Sequence, residues 1–149
     1  MKRAHVVAGV AAILLAVASF TYIAFRPTGD NVPTRDVQLA GETLHVFVAD
    51  TESLREKGLG GRAGLPSDQG MLFVFTKDGT YGFWMKDMRF PIDILWLSSE
   101  GTVVHMAQGV SPDTYPQNFT SDKPARYVLE LPAGWAVAHT VQIGDIVRL

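Results

Sequence analysis

The chain opens with a long apolar run that carries no charge. Residues 6–25 contain no acidic or basic side chain over 20 positions. As an α-helix, a run of this length would reach ~30 Å, which is the hydrocarbon thickness of a bilayer. Lys2 and Arg3 precede it, and the positive-inside rule therefore places the N-terminus in the cytoplasm. The pattern predicts a membrane-spanning helix that anchors an extracytoplasmic domain.

A cleaved signal peptide is the alternative interpretation of the same segment. Ala16, Val17 and Ala18 fit the small-x-small pattern of a cleavage site, and cleavage would give a periplasmic or secreted protein. Seven further uncharged residues follow the site, which favours the anchor, because the peptidase usually acts beyond the apolar run. The predicted organisation is a signal anchor or signal peptide over residues 1–26, a linker over 27–35 and one β-rich domain over 36–149.

Beyond residue 36, the apolar positions come in short runs separated by turn-forming residues. This spacing predicts an α+β fold with a mainly antiparallel, barrel-like β-sheet and two short helices. Asp50 is expected to cap the first helix and Gly58 to end it, and the second helix is expected at 133–139. Residues 109–126 should form a long loop. The predicted strands are residues 37–39, 44–48, 71–75, 81–85, 92–97, 102–107, 127–131 and 146–149. Ala40 and Gly41 are expected to turn the first two strands into a hairpin, and residues 77–80 are expected to form a turn between the third and fourth.

Composition and charge exclude several classes of function. Cysteine is absent, so disulfides, thiol catalysis and cysteine-based metal sites are excluded. Of the 13 basic residues three lie at or before Arg26, whereas all 15 acidic residues follow it, which leaves ten basic against 15 acidic side chains. Such a balance disfavours nucleic-acid binding. The histidines lack metal-ligand spacing, and we expect no metal and no cofactor. Methionines with His105 could bind Cu(I), but gap-filling in the core is the favoured interpretation.

Two motifs resemble a known prokaryotic family. The first runs from Gly58-Leu59 through Arg62 to a Gly-Met-Leu-Phe string at residues 70–73, and the second runs from Phe-Trp-Met-Lys-Asp at residues 83–87 to Ile-Asp-Ile-Leu at residues 92–95. With the segment at 127–135, they resemble the domain of unknown function 192. The resemblance implies a compact β-rich domain that is often exported, and it implies no activity. The family usually has Asn at position 87, where this chain has Asp87.

Three charged residues of these motifs lie in apolar surroundings. Arg62 lies among glycines, and Asp93 and Glu130 lie within predicted strands. Buried charges need partners, so a structural charge brace between Arg62 and one or both carboxylates is the favoured interpretation. Arg62 could instead bind an anionic ligand group, because its planar guanidinium grips carboxylate or phosphate at two points.

The second motif contains a candidate ligand platform. Alternation along the segment places Phe83 and Met85 on one face and Trp84 with Lys86 on the other. Lys86 prefers water, so we expect Trp84 to line a groove where it stacks against a flat or sugar-like ligand. Burial of Trp84 against Trp135 is the alternative.

The candidate ligand-binding set is therefore Arg62, Trp84, Lys86, Asp87 and Asp93. The favoured function is a membrane-tethered extracytoplasmic domain, attached through residues 6–25, that binds a small polar or carbohydrate ligand or acts as an accessory domain. One alternative is a hydrolase acting on envelope carbohydrate or peptide, with Asp87 or Asp93 as catalytic acid or base. Another is a structural partner of an envelope protein. The oligomeric state is left open.

Overall fold

The structure, a computed structural model, describes residues 32–149. Within this range no helix is long and apolar enough to span a membrane. The predicted membrane segment at 6–25 and most of the predicted linker lie outside the described residues. The elements are β1 (Thr34–Leu39), β2 (Glu42–Ala49), α1 (Glu52–Lys57), β3 (Gln69–Gly79), β4 (Ile92–Leu97), β5 (Val103–Val110), a 3₁₀ helix (Pro112–Thr114), β6 (Ala125–Pro132) and α2 (Trp135–Ala138).

A hairpin and a crossover build the first half of the sheet. The β1–β2 turn consists of Ala40 and Gly41, both with positive φ, as a tight two-residue hairpin requires. The side chain of Thr51 accepts a hydrogen bond from the Leu54 N–H and caps α1, so the expected Asp50 cap is wrong by one residue. The helix ends at Gly58, as predicted. The connection through α1 brings β3 alongside β2 in parallel.

The sheet is mixed and open, which corrects the predicted barrel-like closure. Its six strands follow the order β1-β2-β3-β6-β4-β5, with one parallel pairing among otherwise antiparallel ones. The end strands β1 and β5 are not paired with each other. A parallel crossover between β2 and β3 was not predicted, because periodicity identifies strands but not their direction. The two predicted short helices are confirmed.

Two predicted strands are reduced to isolated bridges. In the segment at 81–85 only Phe83 pairs, with Phe119 in the loop before β6. In the segment at 146–149, Ile146 bridges to Thr102 and Arg148 to Gln38 of β1. The predicted turn at 77–80 is also wrong, since β3 continues to Gly79 through an irregularity after Val74. β1 begins two residues before the predicted domain start.

Alternation along the strands creates a separate apolar core on each side of the sheet. One side, the leucine core, is rich in leucine and includes Trp135 of α2. The other, the aromatic core, contains Phe73, Phe83 and Trp96. Phe83 and Trp96 meet edge to face with centroids 6.0 Å apart, a favoured aromatic geometry. The leucine core consists of Val37, Leu39, Leu44, Val46, Leu72, Leu95, Leu97, Val103, Leu129, Leu131, Trp135, Ala136, Val141 and Val147.

Candidate functional site

A narrow cleft opens on the aromatic-core side of the sheet. One wall is α1 with the turn that follows it, and the opposite wall is the segment 82–88. The cleft has a volume of about 90 Å³. Its lining residues are Arg55, Glu56, Lys57, Gly58, Leu59, Gly60, Phe73, Gly82, Phe83, Trp84, Lys86, Met88 and Glu130.

Backbone contacts hold the two walls together. The N–H of Gly61 donates to the carbonyl of Asp87 over 2.9 Å. A Cβ at Gly60 would lie 3.0 Å from the Lys57 carbonyl oxygen and 3.5 Å from the Asp87 Cβ, so this approach favours glycine. Asp87 itself has φ 57, a left-handed conformation that Asn and Asp adopt more readily than other side chains. The backbone alone therefore accounts for a preference for Asn or Asp at position 87.

Glu130 forms the floor of the cleft. On β6 it pairs with Met71 of β3 and Ile94 of β4, and both neighbours belong to the aromatic core. The side chain is only 5% exposed, and its Oε2 atom has no hydrogen-bond partner among the described residues. Burial raises the pKa of the Glu130 carboxyl to about 8, so it is mostly neutral at pH 7.

Trp84 stands at the mouth of the cleft, and its predicted exposure is confirmed. The residue is 53% exposed, while its neighbours Phe83 and Met85 are buried. The ring meets Tyr115 edge to face at 5.8 Å, and the Lys86 Nζ lies 6.0 Å from the ring centroid. The alternative of burial against Trp135 is wrong, because Trp135 belongs to the leucine core on the other side of the sheet.

Outside the cleft, a shallow depression continues its mouth. The two share Glu56, Lys57, Gly60, Lys86 and Met88, so they form one continuous surface. The depression adds Gly61, Asp87 and Arg89. Four cationic and two acidic side chains, apart from the largely neutral Glu130, line this surface, which is therefore locally basic in a domain where acidic residues predominate.

Asp93 is a structural carboxylate that lies on the opposite side of the sheet. Its Oδ1 accepts from the backbone N–H groups of Gly109 at 2.8 Å and Gly134 at 3.1 Å, and its Oδ2 accepts from Ala136 at 2.9 Å. The side chain is fully buried. These three bonds tie β4 to the end of β5 and to α2. Asp93 lines neither the cleft nor the depression, so the structure does not bring it together with Asp87.

The predicted brace between Arg62 and the two carboxylates is wrong. Asp93 pairs with Leu131 of the leucine core, whereas Glu130 faces the aromatic core, so one arginine could not serve both. The Arg62 guanidinium lies 4.0 Å over the Phe47 ring instead. Arg62 is half-buried and lines neither the cleft nor the depression.

Metal-binding side chains do not converge within residues 32–149. No group of three His, Asp or Glu residues there has the geometry of a metal site. Met71 and Met85 are buried in the aromatic core, whereas Met106 packs against the leucine core. The sheet therefore separates the methionines that the copper alternative requires.

The open mixed sheet with a cleft on one side makes this a small β-rich domain. Comparison with known families shows which family it belongs to. Residues 35–149 match the family DUF192, described as an uncharacterized ACR. The match covers more than half of the chain, so the chain belongs to this family, and the resemblance inferred from the motifs is confirmed. No curated protein matches the chain.

Two solved structures are similar to this fold. One, from Sinorhizobium meliloti 1021, is provisionally described as a transcription regulator. It is 34% identical with a TM-score of 0.74, over 78% of this chain and 94% of that chain. The other is a protein of unknown function from Novosphingobium aromaticivorans DSM 12444. It is 24% identical with a TM-score of 0.77, over 83% and 90% of the two chains, and shows the fold alone.

Sequence reasoning identified the mouth of this site but not its floor. Trp84, Lys86 and Asp87 lie where the motif predicted a ligand surface. Glu130 was expected as a brace partner, and its place in a cleft was missed. Strand alternation could have revealed this place. Glu130 lies between Leu129 and Leu131 on β6, so its side chain is on the opposite face from theirs and on the same face as Val128.

Proposed function

We propose that this protein is a membrane-tethered extracytoplasmic domain that binds a small ligand in the cleft between α1 and segment 82–88. The observation that carries the proposal is Glu130, a buried carboxyl at the floor of a cleft whose Oε2 has no partner within residues 32–149. A strongly perturbed carboxyl in a cleft is a marker of functional sites. The half-exposed Trp84 ring offers a stacking surface at the mouth.

Binding without catalysis is favoured over the hydrolase alternative. A carboxylate pair needs two carboxyl groups that face one substrate bond. Asp93 faces the leucine core and accepts three backbone hydrogen bonds, while Asp87 is exposed on the depression. Glu130 is the one acidic group at the cleft floor, and Glu56, the other acid of the lining, belongs to the exposed face of α1.

Nucleic-acid binding, which the description of the Sinorhizobium relative suggests, has less support here. A major-groove reader uses a helix long enough to present several side chains to the bases. Among the described residues, α1 has six residues and α2 has four. The excess of acidic side chains after residue 26 also opposes attraction to a phosphate backbone.

A fragment screen against the full chain in detergent tests ligand binding. We expect ligand-observed NMR to find small polar fragments that bind the wild type and lose at least about tenfold in affinity in Trp84→Ala. Tyr127→Ala, at a half-buried position outside the cleft lining, serves as the matched aromatic control. A screen without any Trp84-dependent fragment contradicts the proposed function and favours the structural-partner alternative.

The charge pattern at the N-terminus supports the proposed location. Because Lys2 and Arg3 precede an uncharged run, protease added to intact spheroplasts should degrade the folded domain. Protection of the domain contradicts the orientation. Release of a chain that begins at Ser19 contradicts the anchor only, and leaves an exported domain.

A further inference from the structure

The floor of the cleft presents a defined hydrogen-bonding pattern. A neutral carboxyl offers one O–H donor and one carbonyl acceptor side by side. In Glu130 this pair lies at the base of walls formed by Leu59, Phe73, Phe83 and Met88. Apolar walls disfavour a charged group at this depth, because a charge there loses its hydration. The floor therefore favours a neutral group that both accepts and donates a hydrogen bond.

The size of the cleft restricts what enters it. Its volume of about 90 Å³ exceeds the ~10–15 Å³ that one water molecule requires, and lies below the ~150 Å³ of a cavity that takes benzene. A carboxamide with one or two methylene groups fits this range. A whole sugar ring does not, so a carbohydrate could place only a substituent at the floor.

Positive charge is concentrated at the mouth. Lys86 lines both the cleft and the depression, and Arg89 lies on the depression, whereas acidic residues outnumber basic ones in the domain as a whole. Local cations raise the affinity for anions without requiring a fixed contact. An anionic group that remains in the mouth keeps its hydration, whereas at the floor it would lose it.

We propose that the cleft binds a small ligand that carries a carboxamide and an anionic group, with the carboxamide paired to the Glu130 carboxyl and the anion held at the mouth near Lys86 and Arg89. The carboxamide N–H donates to the carboxyl C=O, and the carboxyl O–H donates to the carboxamide oxygen. The inference rests on the proposed function and specifies the chemical class of its ligand.

Three matched probes test the two ends separately. Succinamate carries both groups, propionamide lacks the anion, and succinate replaces the carboxamide with a carboxylate. With the full chain in detergent, we expect titration calorimetry or NMR to rank succinamate first. Replacing Lys86 with Gln should weaken succinamate about fivefold and leave propionamide unchanged. Lys77→Gln, an exposed lysine outside the cleft lining, should change neither.

Variants at the floor separate hydrogen bonding from packing. Glu130→Gln keeps a neutral donor and acceptor, so it should still bind succinamate within about threefold of the wild type at pH 7. Glu130→Leu fills a similar volume without polar atoms and should abolish binding. Circular dichroism and a thermal melt establish that both variants fold.

The pH profile provides a readout that packing does not affect. Burial raises the pKa of the Glu130 carboxyl to about 8, so the O–H donor is present at pH 7 and is lost as the pH rises through that value. Affinity should fall about tenfold between pH 7 and pH 9 in the wild type and stay constant in Glu130→Gln. The cleft also contains the charged side chains of Arg55, Glu56, Lys57 and Lys86, and the strands beside Glu130 contribute Met71 and Ile94.

Three outcomes overturn the inference, and each points to a different error. If succinamate binds a folded Glu130→Leu variant as tightly as the wild type, the carboxamide pair is wrong. If Trp84-dependent fragments bind but none of the three probes does, the ligand class is wrong while the proposed function stands. Failure of every fragment as well contradicts the proposed function itself.

Discussion

Two buried carboxyl groups, on adjacent strands of one sheet, have opposite surroundings. Asp93 of β4 faces the leucine core and accepts three backbone hydrogen bonds. Glu130 of β6 faces the aromatic core and leaves Oε2 without a partner among the described residues. Buried polar groups are almost always satisfied when their role is structural. The contrast separates a carboxylate that holds the fold together from one that the fold leaves open to a cleft.

The largest effect is expected from removing the satisfied carboxylate. Asp93→Ala leaves the N–H groups of Gly109, Gly134 and Ala136 without an acceptor, and each such loss costs ~1–3 kcal/mol. We expect the free energy of unfolding to fall by about 3–6 kcal/mol in urea melts. Asp68→Ala, an exposed carboxylate, is the control. A loss below about 1 kcal/mol would mean that Asp93 does not hold these segments together.

Replacing the Glu130 carboxyl is expected to raise the free energy of unfolding, opposite in sign to the loss at Asp93. The pKa of Glu130 is about 8 in the folded protein, against ~4.3 in an unfolded chain. Folding therefore takes up a proton between these values, and the contribution of Glu130 to stability falls as the pH rises from about 4 to 8. Glu130→Gln should raise stability by about 3 kcal/mol at pH 7. Thermal melts from pH 5 to 8 should show a steeper decline in the wild type than in the variant.

Exposed Glu42→Gln provides the control for that series, because it makes the same chemical replacement at the surface. It should leave the decline of stability with pH unchanged. If Glu130→Gln and Glu42→Gln give the same pH profile, the Glu130 carboxyl is ionised in the folded state, and the comparison with Asp93 loses its basis.

Substitutions at Trp84 test whether the cleft above Glu130 is open to solvent at its mouth. The ring is 53% exposed, so Trp84→Ala should cost about 1 kcal/mol, below the ~3–5 kcal/mol expected for emptying a core aromatic site. Trp84→Phe should also remove most of the fluorescence that acrylamide quenches. Fully buried Trp96 is the internal comparison, since its indole N–H donates to the Tyr81 carbonyl at 2.9 Å. An unchanged quenchable signal in Trp84→Phe would mean that the ring is buried.

The smallest effect is expected at Arg62, which the sequence predicted as the ion-pair partner of Asp93, Glu130 or both. Its guanidinium lies over Phe47 instead, a half-buried cation–π contact worth ~0.5–1 kcal/mol. Arg62→Ala should lower the free energy of unfolding by about that amount. A loss of ~3–5 kcal/mol, the cost of breaking a buried ion pair, would restore the brace and contradict the contrast between the two carboxyls.

Local sequence patterns predicted which residues are buried better than they predicted which residues contact one another. Alternation correctly buried Phe83 and Met85 and exposed Trp84, although the segment forms only one bridge and no strand. The alternation indicates which side chains face the core, and side chains can face the core without regular strand pairing. Turn chemistry likewise predicted the β1–β2 hairpin from Ala40 and Gly41.

Long-range partners could not be predicted in the same way. The donors that satisfy Asp93 are backbone N–H groups, 16 to 43 residues away, which no side-chain pattern reveals. Asp93 and Glu130 both lie in apolar strands, but Asp93 pairs with Leu131 and Glu130 pairs with Ile94, so the two carboxyls face different cores. The cleft depends on the parallel crossover through α1. The periodicity of apolar positions reveals neither the direction of this crossover nor the volume of the cleft.

The C-terminal bridges have a consequence for the order of folding. Arg148 exchanges both backbone hydrogen bonds with Gln38 of β1, and the Val147 N–H donates to the Gly101 carbonyl. Gly101 has no room for a Cβ, which would meet the Val147 oxygen at 2.4 Å. Contacts between segments this far apart along a chain carry a high entropic cost of closure and form late. Because Val147 belongs to the leucine core, we expect this core to be completed only when residues 146–148 dock, after the sheet has formed.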